Sequence, residues 1–209
     1  MGKTTLSEVI GARRGDVRTG IGLWRLPWAA LLPRLPRLAT TFGALSWHAR
    51  SPRWWQSKEI FRLEAMGRFV GSTSLRRYRA LVLDEGPVFT LSRLHLFAPD
   101  VVLRTSWSRW LDAAIEAWAR ALDIVILLDA PDPVLARRIR RRSKPHLVKN
   151  GTDHDMAVFA ASYRAAFAHV LRALAAHGGP PVVRITTADE PVEQLAEQVL
   201  AVLEKADGR

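Results

Sequence analysis

The order of apolar and polar positions divides this chain into helical and extended stretches. Residues 4–12 read as a short helix, entered almost directly from Met1. Over 58–70, KEIFRLEAMGRFV repeats apolar residues at helical spacing. RRYRALVLDEGPVF then switches to a short buried strand, 80–83, ending at Asp84. WSRWLDAAIEAWARAL is amphipathic, with Trp107, Trp110, Leu111, Ala114, Ile115, Trp118 and Leu122 at helical spacing. DIVILLDA has almost no polar alternation, the mark of a strand covered on both faces. PDPVLARRIRRR predicts a helix with Asp132 as N-cap and Pro133 at the first helical position. A long helix over 156–176 puts Phe159, Tyr163, Ala166, Phe167, Val170, Leu171 and Leu174 on one face. GGPPVVRIT predicts a turn and a last strand. EPVEQLAEQVLAVLEK predicts the final helix, with Val192, Leu195, Ala196, Val199, Leu200 and Leu203 facing inward. Buried strands alternating with amphipathic helices predict an α/β fold, a parallel sheet with helices on both faces.

The stretch 20–56 resists this reading. Pro27, Pro33, Pro36 and Pro52 break any long helix there, and Trp24, Trp28, Trp47, Trp54 and Trp55 interleave with basic residues. Such a pattern suits a base-stacking surface, or tryptophans that pack an irregular segment against the core.

At 209 residues, one domain over 1–209 is the simplest organisation, long enough for a substantial core. No apolar run approaches the roughly 18 residues of a membrane span; the longest clean run is IVILL at 124–128. There is no signal-peptide pattern. With no cysteine in the chain, disulfides, thiolate metal sites and cysteine nucleophiles are excluded, which fits a cytoplasmic protein. The net charge of +11 is unevenly placed. Residues 1–80 carry 15 Lys/Arg against 4 Asp/Glu, and residues 81–209 carry 16 of each. The basic part suits phosphates, nucleic acid or an anionic surface; arginine used as a generic surface residue is the plain alternative.

Three stretches carry candidate chemistry. In Gly2, Lys3, Thr4 and Thr5, backbone N–H groups at a helix start would cradle phosphate oxygens. The lysine would reach the terminal phosphates, and the first threonine hydroxyl would hold Mg²⁺. In ALVLDEGP, Asp84 stands at the carboxyl end of an apolar strand, the edge at which α/β proteins bind ligands, with Glu85 beside it. Either carboxylate suits a metal ion or an acceptor hydroxyl. In 137–149, five arginines, two lysines and one histidine crowd together, and helical spacing groups Arg138, Arg141 and Arg142. Arginine forks match phosphate oxygens, and charges this dense repel unless anions lie among them. A solvated basic helix or a nucleic-acid contact remains the alternative. The histidines, His95, His146 and His154 among them, lack metal-ligand spacing.

Taken in order, GKTTL, LVLDEGP, DIVILLDAPDPVLARRIRRR, the helix with Tyr163, VVRIT and the last helix resemble the P-loop kinases of the nucleoside-monophosphate type, with thymidylate and adenylate kinases as models. The resemblance covers essentially the whole chain and is architectural. It implies an ATP-dependent, Mg²⁺-dependent phosphotransferase with a basic acceptor-side segment at about 20–80 and an arginine-rich lid at about 137–150. It assigns Gly2, Lys3, Thr4 and Thr5 to ATP, Thr4 and Asp84 to Mg²⁺, and Asp84 or Glu85 to orienting the acceptor. It further assigns Arg138 and Arg142 to the lid, and Arg62 or Arg68 to the acceptor's phosphate. Two departures stand out. Thymidylate kinases have Asp-Arg where this chain has Asp84 and Glu85, which leaves a small alcohol, a sugar or an unusual nucleoside open as acceptor. The family's first strand and the start of its loop are missing ahead of Gly2. The expectation is therefore a gap in mid-sheet, between the strands at 80–84 and 124–129, and a native polypeptide that begins upstream of Met1. A non-catalytic nucleotide- or nucleic-acid-binding module, and an inactive truncated P-loop protein, are the alternative functions.

Overall fold

The computed structural model describes residues 3–19, 54–70, 78–97 and 105–207. Its elements run α1 (Lys3–Arg13), β1 (Val17–Arg18), α2 (Trp54–Val70), β2 (Ala80–Leu81), α3 (Pro87–Phe97), α4 (Thr105–Ala121), β3 (Val125–Asp129), α5 (Asp132–Arg140), α6 (Asp153–Ala176), β4 (Val182–Thr186) and α7 (Val192–Asp207). Among the described residues, no helix is long and apolar enough to cross a membrane.

The fold is mixed α/β, mostly helical, with small parallel sheets. Among the described residues, the strands form two pairs rather than one continuous sheet. β1 pairs with β2, Val17 opposite Ala80 and Arg18 opposite Leu81. β3 pairs with β4 from Val125 opposite Val182 to Asp129 opposite Thr186.

Side chains alternate across β3 and sort the core into two layers. Ile126 and Leu128 join Ala80, Val82, Val183 and Ile185 against α1 and α7, where Leu6, Ile10, Val192, Ala196 and Val199 are buried. Val125 and Leu127 join Leu83 on the other face, against Ile60, Leu63, Leu91, Leu94, Ile115, Trp118, Val170 and Leu174. Each fully buried aliphatic side chain contributes about 1.5–3 kcal/mol relative to exposure. β3 therefore has a helical layer on each face, whereas β4 is covered on one face only: Val183 and Ile185 face α1 and α7, and Val182, Arg184 and Thr186 are exposed.

Several sequence expectations need correcting. The strand at 80–83 is laddered only over Ala80–Leu81, with one further bond from Val82 N–H to the Arg18 carbonyl. Asp132 is not the N-cap of α5: Pro131 holds that position without a side-chain cap, and the Asp132 carboxylate goes to Arg164 instead. The long helix starts at Asp153, because Thr152 and Asp155 form a reciprocal capping box. The two-residue β1 and the helix α3 were not legible. Most of the stretch 20–56 lies outside the described residues. Within α2, Trp55 packs against the core, edge-on to Phe97 at 6.2 Å.

Candidate functional site

The carboxyl end of β2 is the centre of the candidate site. Asp84 follows the strand, half-buried, and Glu85 adopts a left-handed backbone at φ 51°. That conformation costs a non-glycine residue roughly 1–2 kcal/mol. Arg62, reaching across from α2, holds it there. Its guanidinium donates to the Glu85 carbonyl at 2.9 Å and to the Glu85 carboxylate at 3.3 Å. At Gly86 an added Cβ would come within 3.1 Å of the Leu83 carbonyl oxygen, so a larger residue would press the turn outward by a few tenths of an ångström. Pro87 then opens α3, where its missing N–H has no helical partner to lose.

A slot of about 260 Å³ separates β2 from β3. Its rims are residues 81–83 on one side and 124–128 on the other. Leu6, Ser7 and Ile10 of α1 line one wall, and Val88, Phe89 and Phe167 line the opposite one. Asp84 and Glu85 stand at the edge of this slot. The C-terminal end of α1 joins the amino end of β1 through the turn at 14–16. Leu6 and Ser7, in the first half of α1, line the slot together with Asp84 and Glu85, and Thr5 just ahead of them is exposed.

Beyond Glu85 lies a second cluster. Glu59 is 4% exposed; its Oε1 accepts from Arg93 at 2.6 Å, while its Oε2 has no partner. The Thr90 hydroxyl, fully buried in α3, also lacks one. The Arg93 guanidinium lies 5.8 Å from the Phe89 ring and 5.9 Å from the Trp55 ring. Burial pushes the Tyr163 hydroxyl above its ordinary pKa, against the opposing pull of the Arg93 charge. Tyr163 stacks against Phe89 at 6.3 Å and tilts against Phe159 at 4.9 Å. A buried carboxylate oxygen without a donor, an arginine and an aromatic wall suit a planar ligand bearing N–H groups, or an ordered water.

The carboxyl end of β3 is occupied differently. Arg164 of α6 forks onto Asp129 at 2.9 Å, reaches Asp132 at 2.6 Å and donates to the Ala130 carbonyl at 2.7 Å. Its hydrogen bonds to Asp129, then to Asp132, raise its pKa further. Arg138 donates to the Thr187 hydroxyl at 2.8 Å and to the Ala188 carbonyl. Arg137 pairs with Asp189 at 2.7 Å and Arg140 with Asp153.

Comparison of the chain with protein-family models, with curated proteins and with solved structures gives no match.

The sequence-predicted residues therefore fall into groups. Asp84, Glu85 and Arg62 come together, although Arg62 is held by Glu85 rather than presented as an open anion receptor. Leu6 and Ser7 of α1 share the slot with Asp84 and Glu85; Gly2, and the side chains of Lys3, Thr4 and Arg68, lie outside what the structure describes. Arg138 and Arg142 do not share a helical face, because α5 ends at Arg140 and Arg142 follows in the turn, exposed. Its carbonyl accepts from Lys149, and its charge, after burial, helps lower the His146 pKa. Among the crowded arginines, Arg137 is paired with Asp189 and Arg140 with Asp153. Sequence reading missed Arg164, Arg93 and Glu59. An arginine inside the longest amphipathic helix was the one available signal for Arg164. Nothing in the local pattern marks Arg93 or Glu59.

Proposed function

We propose that this protein is a phosphotransferase that uses a nucleoside triphosphate, ATP in the first instance, with Mg²⁺. The observation that supports the reading is the slot that Leu6 and Ser7 of α1 share with Asp84 and the Arg62-braced Glu85. The initial N–H groups of a helix have no partners inside it and favour anions. Phosphate oxygens would take those donors, with Lys3 supplying positive charge and the Thr4 hydroxyl a further contact.

Among the described residues, no three His, Cys, Asp or Glu side chains gather to hold a metal ion. Mg²⁺ does not need three: it keeps several waters and binds through one or two carboxylates plus phosphate oxygens. A half-buried carboxylate at a strand end, Asp84, fits that donor set. When bound, the ion would neutralise charge on the phosphates. Asp84 would orient it, and Glu85 would accept a hydrogen bond from the acceptor hydroxyl. The Arg62 brace fixes the Glu85 backbone, so the carboxylate is aimed before substrate arrives. Arg138 and Arg142 as lid residues are part of this proposal; Arg138 would first leave Thr187.

The acceptor is a small molecule or nucleotide. The cluster of Arg93, Glu59 and the aromatic wall favours one with a planar ring and exchangeable N–H groups. The test is Mg·ATP-dependent thermal stabilisation together with phosphoryl transfer to a panel of nucleosides, nucleotides, sugars and alcohols. Saturation at ~100 times the dissociation constant stabilises by roughly 2.7 kcal/mol. Lys3→Ala and Asp84→Asn should abolish transfer and reduce that stabilisation. Unchanged behaviour of Lys3→Ala would sink the assignment.

A further inference from the structure

β4 gives one edge to β3, and the ladder fixes what its other edge presents. In a parallel ladder, alternate residues bond to one neighbour, and those between them turn their N–H and C=O groups the other way. The Val125 N–H donates to the Pro181 carbonyl, and the Thr187 N–H donates to the Asp129 carbonyl. With the register between them, Val183 and Ile185 serve β3. The N–H and C=O groups of Val182, Arg184 and Thr186 then face outward. Among the described residues, no strand pairs with that edge.

The same three residues form the bare face of β4. By register, Val182 stands beside Val125, Arg184 beside Leu127 and Thr186 beside Asp129. On that face Val170, Leu171 and Leu174 of α6 join Val125 and Leu127 in the core. Val182 is nevertheless 38% exposed, and Arg184 and Thr186 are exposed beside it. Among the described residues, no ion pair reaches Arg184. The ladder's one carboxylate, Asp129, is held by Arg164.

These features specify the occupant. A row of outward N–H and C=O groups is satisfied by extended backbone lying about 4.8 Å away. Antiparallel pairing is the more stable per residue, and it sets one partner side chain directly opposite each of Val182, Arg184 and Thr186. Opposite Arg184, an acidic side chain supplies the missing countercharge. The partner's intervening residues lie beside Val183 and Ile185, on the face packed against α1 and α7, where apolar side chains fit. Pro180 and Pro181 offer no N–H ahead of the strand, which confines the pairing to β4. A second copy of this chain fits poorly. Antiparallel self-pairing through all three residues sets the two Arg184 side chains against each other, and like charges directly opposite are destabilising.

We propose that the outer edge of β4 is a docking site for a partner protein. The partner adds an extended, antiparallel segment as long as β4, with an acidic side chain opposite Arg184 and an apolar residue on each side of it. Main-chain hydrogen bonds hold the segment, and the charge pair selects it. The site involves neither Asp84 nor a nucleotide, so it stands or falls apart from the phosphotransferase reading.

The test titrates the 209-residue protein with a capped Thr-Ile-Glu-Val-Val peptide and follows the backbone amides by NMR and hydrogen exchange. Binding should be saturable. It should shift and protect the amides of Val182, Arg184 and Thr186 more than those of Val183 and Ile185, which already serve β3. Lysine in place of the peptide glutamate should weaken binding about tenfold. Arg184→Glu should weaken the glutamate peptide to the same degree and restore the lysine peptide. N-methylation of the peptide glutamate removes the N–H that meets the Arg184 carbonyl, and should abolish binding. Four outcomes overturn the proposal. The three amides are already protected in the free monomer; they are protected because copies of the chain pair through β4; the peptides bind equally whatever the charge at 184; or the glutamate peptide does not bind.

Discussion

The two pairs of strands are built from similar material and held in opposite ways. β3 and β4 share five residues in register, and their carboxyl ends are tied down by Arg164 on Asp129 and Asp132 and by Arg138 on Thr187. β1 and β2 share two residues, and the end of β2 holds a half-buried carboxylate and a left-handed glutamate braced by one arginine. The first pair is closed by its own side chains. The second presents an open rim and an unusual backbone beside the slot that α1 lines. Strain and unsatisfied groups concentrate where ligands act, because a site optimised for stability has nothing left to offer a substrate. The contrast therefore directs attention to β2, although the denser array of arginines lies near β3.

The largest expected effect sets the closed core against the slot. Leu174 is 2% exposed under α3 and α4, and Leu174→Ala should cost about 3–4 kcal/mol in urea unfolding. Ile10 is 1% exposed but lines the slot, so Ile10→Ala enlarges a void that already exists. Its cost should stay near 2 kcal/mol, the low end for such truncations. Equal costs at the two sites would mean that in solution the slot is as tightly filled as the core.

The next effect concerns the clamp on β3. Arg164→Ala leaves Asp129 and Asp132 without their shared partner, and the three side chains are 37–45% exposed. Water would solvate the freed carboxylates, so the loss should be about 1 kcal/mol, not the 3–5 kcal/mol of a fully buried pair. Exchange should speed at β3 and β4 and stay unchanged at α1. A change confined to α1 would break the division into two independently held pairs.

How much of this was legible follows the same division. The closed pair and its helices announce themselves by period: the apolar run around Ile126, the face from Phe159 to Leu174, and the inward face of α7 are long enough for packing to follow pattern. β1 is two residues long, and its existence depends on Ala80 and Leu81 lying opposite, which no local pattern encodes. α3 was hidden because Gly86 and Pro87 read as a sharp turn; the same proline that ends one element starts the next. At the site, the chain itself supplies Asp84 and Glu85 as an acidic end to an apolar strand. That Arg62 braces Glu85, and that Arg93 meets Glu59 and Tyr163, depends on how α2, α3 and α6 cross. The expected common helical side of Arg138, Arg141 and Arg142 does not form because the helix stops at Arg140.

A smaller effect tests the brace. Glu85→Gly removes the left-handed strain and the ion pair with Arg62, which is half-exposed on the glutamate side. Strain relief exceeds the exposed pair and the added chain entropy only slightly, so stability should rise by less than about 1 kcal/mol. Phosphoryl transfer should fall at the same time, since the carboxylate is the group assigned to the acceptor. A variant that loses both stability and activity would make Glu85 structural; one that keeps its activity would remove it from the mechanism.

The smallest effect lies where the two helical elements nearest the site meet. His95 of α3 stacks on His169 of α6, ring centres 4.0 Å apart and planes 9° from parallel. Burial, and then repulsion from His169, hold the His95 pKa below its ordinary value near 6.5. The sign follows from that depression. Above pH 6.5 the ring is neutral in folded and unfolded chains alike, and its contribution is fully present. As pH falls below 6.5 the unfolded chain takes up the proton first, so stability declines until the folded-state pKa is passed. His146 is depressed too, by burial and by Arg142, so the total slope belongs to both. The useful measurement is the difference between the protein and His95→Gln, followed by chemical denaturation between pH 7.5 and 5. The variant should lose less stability on acidification, by a fraction of a kcal/mol given the partial exposure of the pair. If the two slopes coincide, the stack opens before it protonates, and α3 is held against α6 by Phe89, Phe97 and Tyr163 alone.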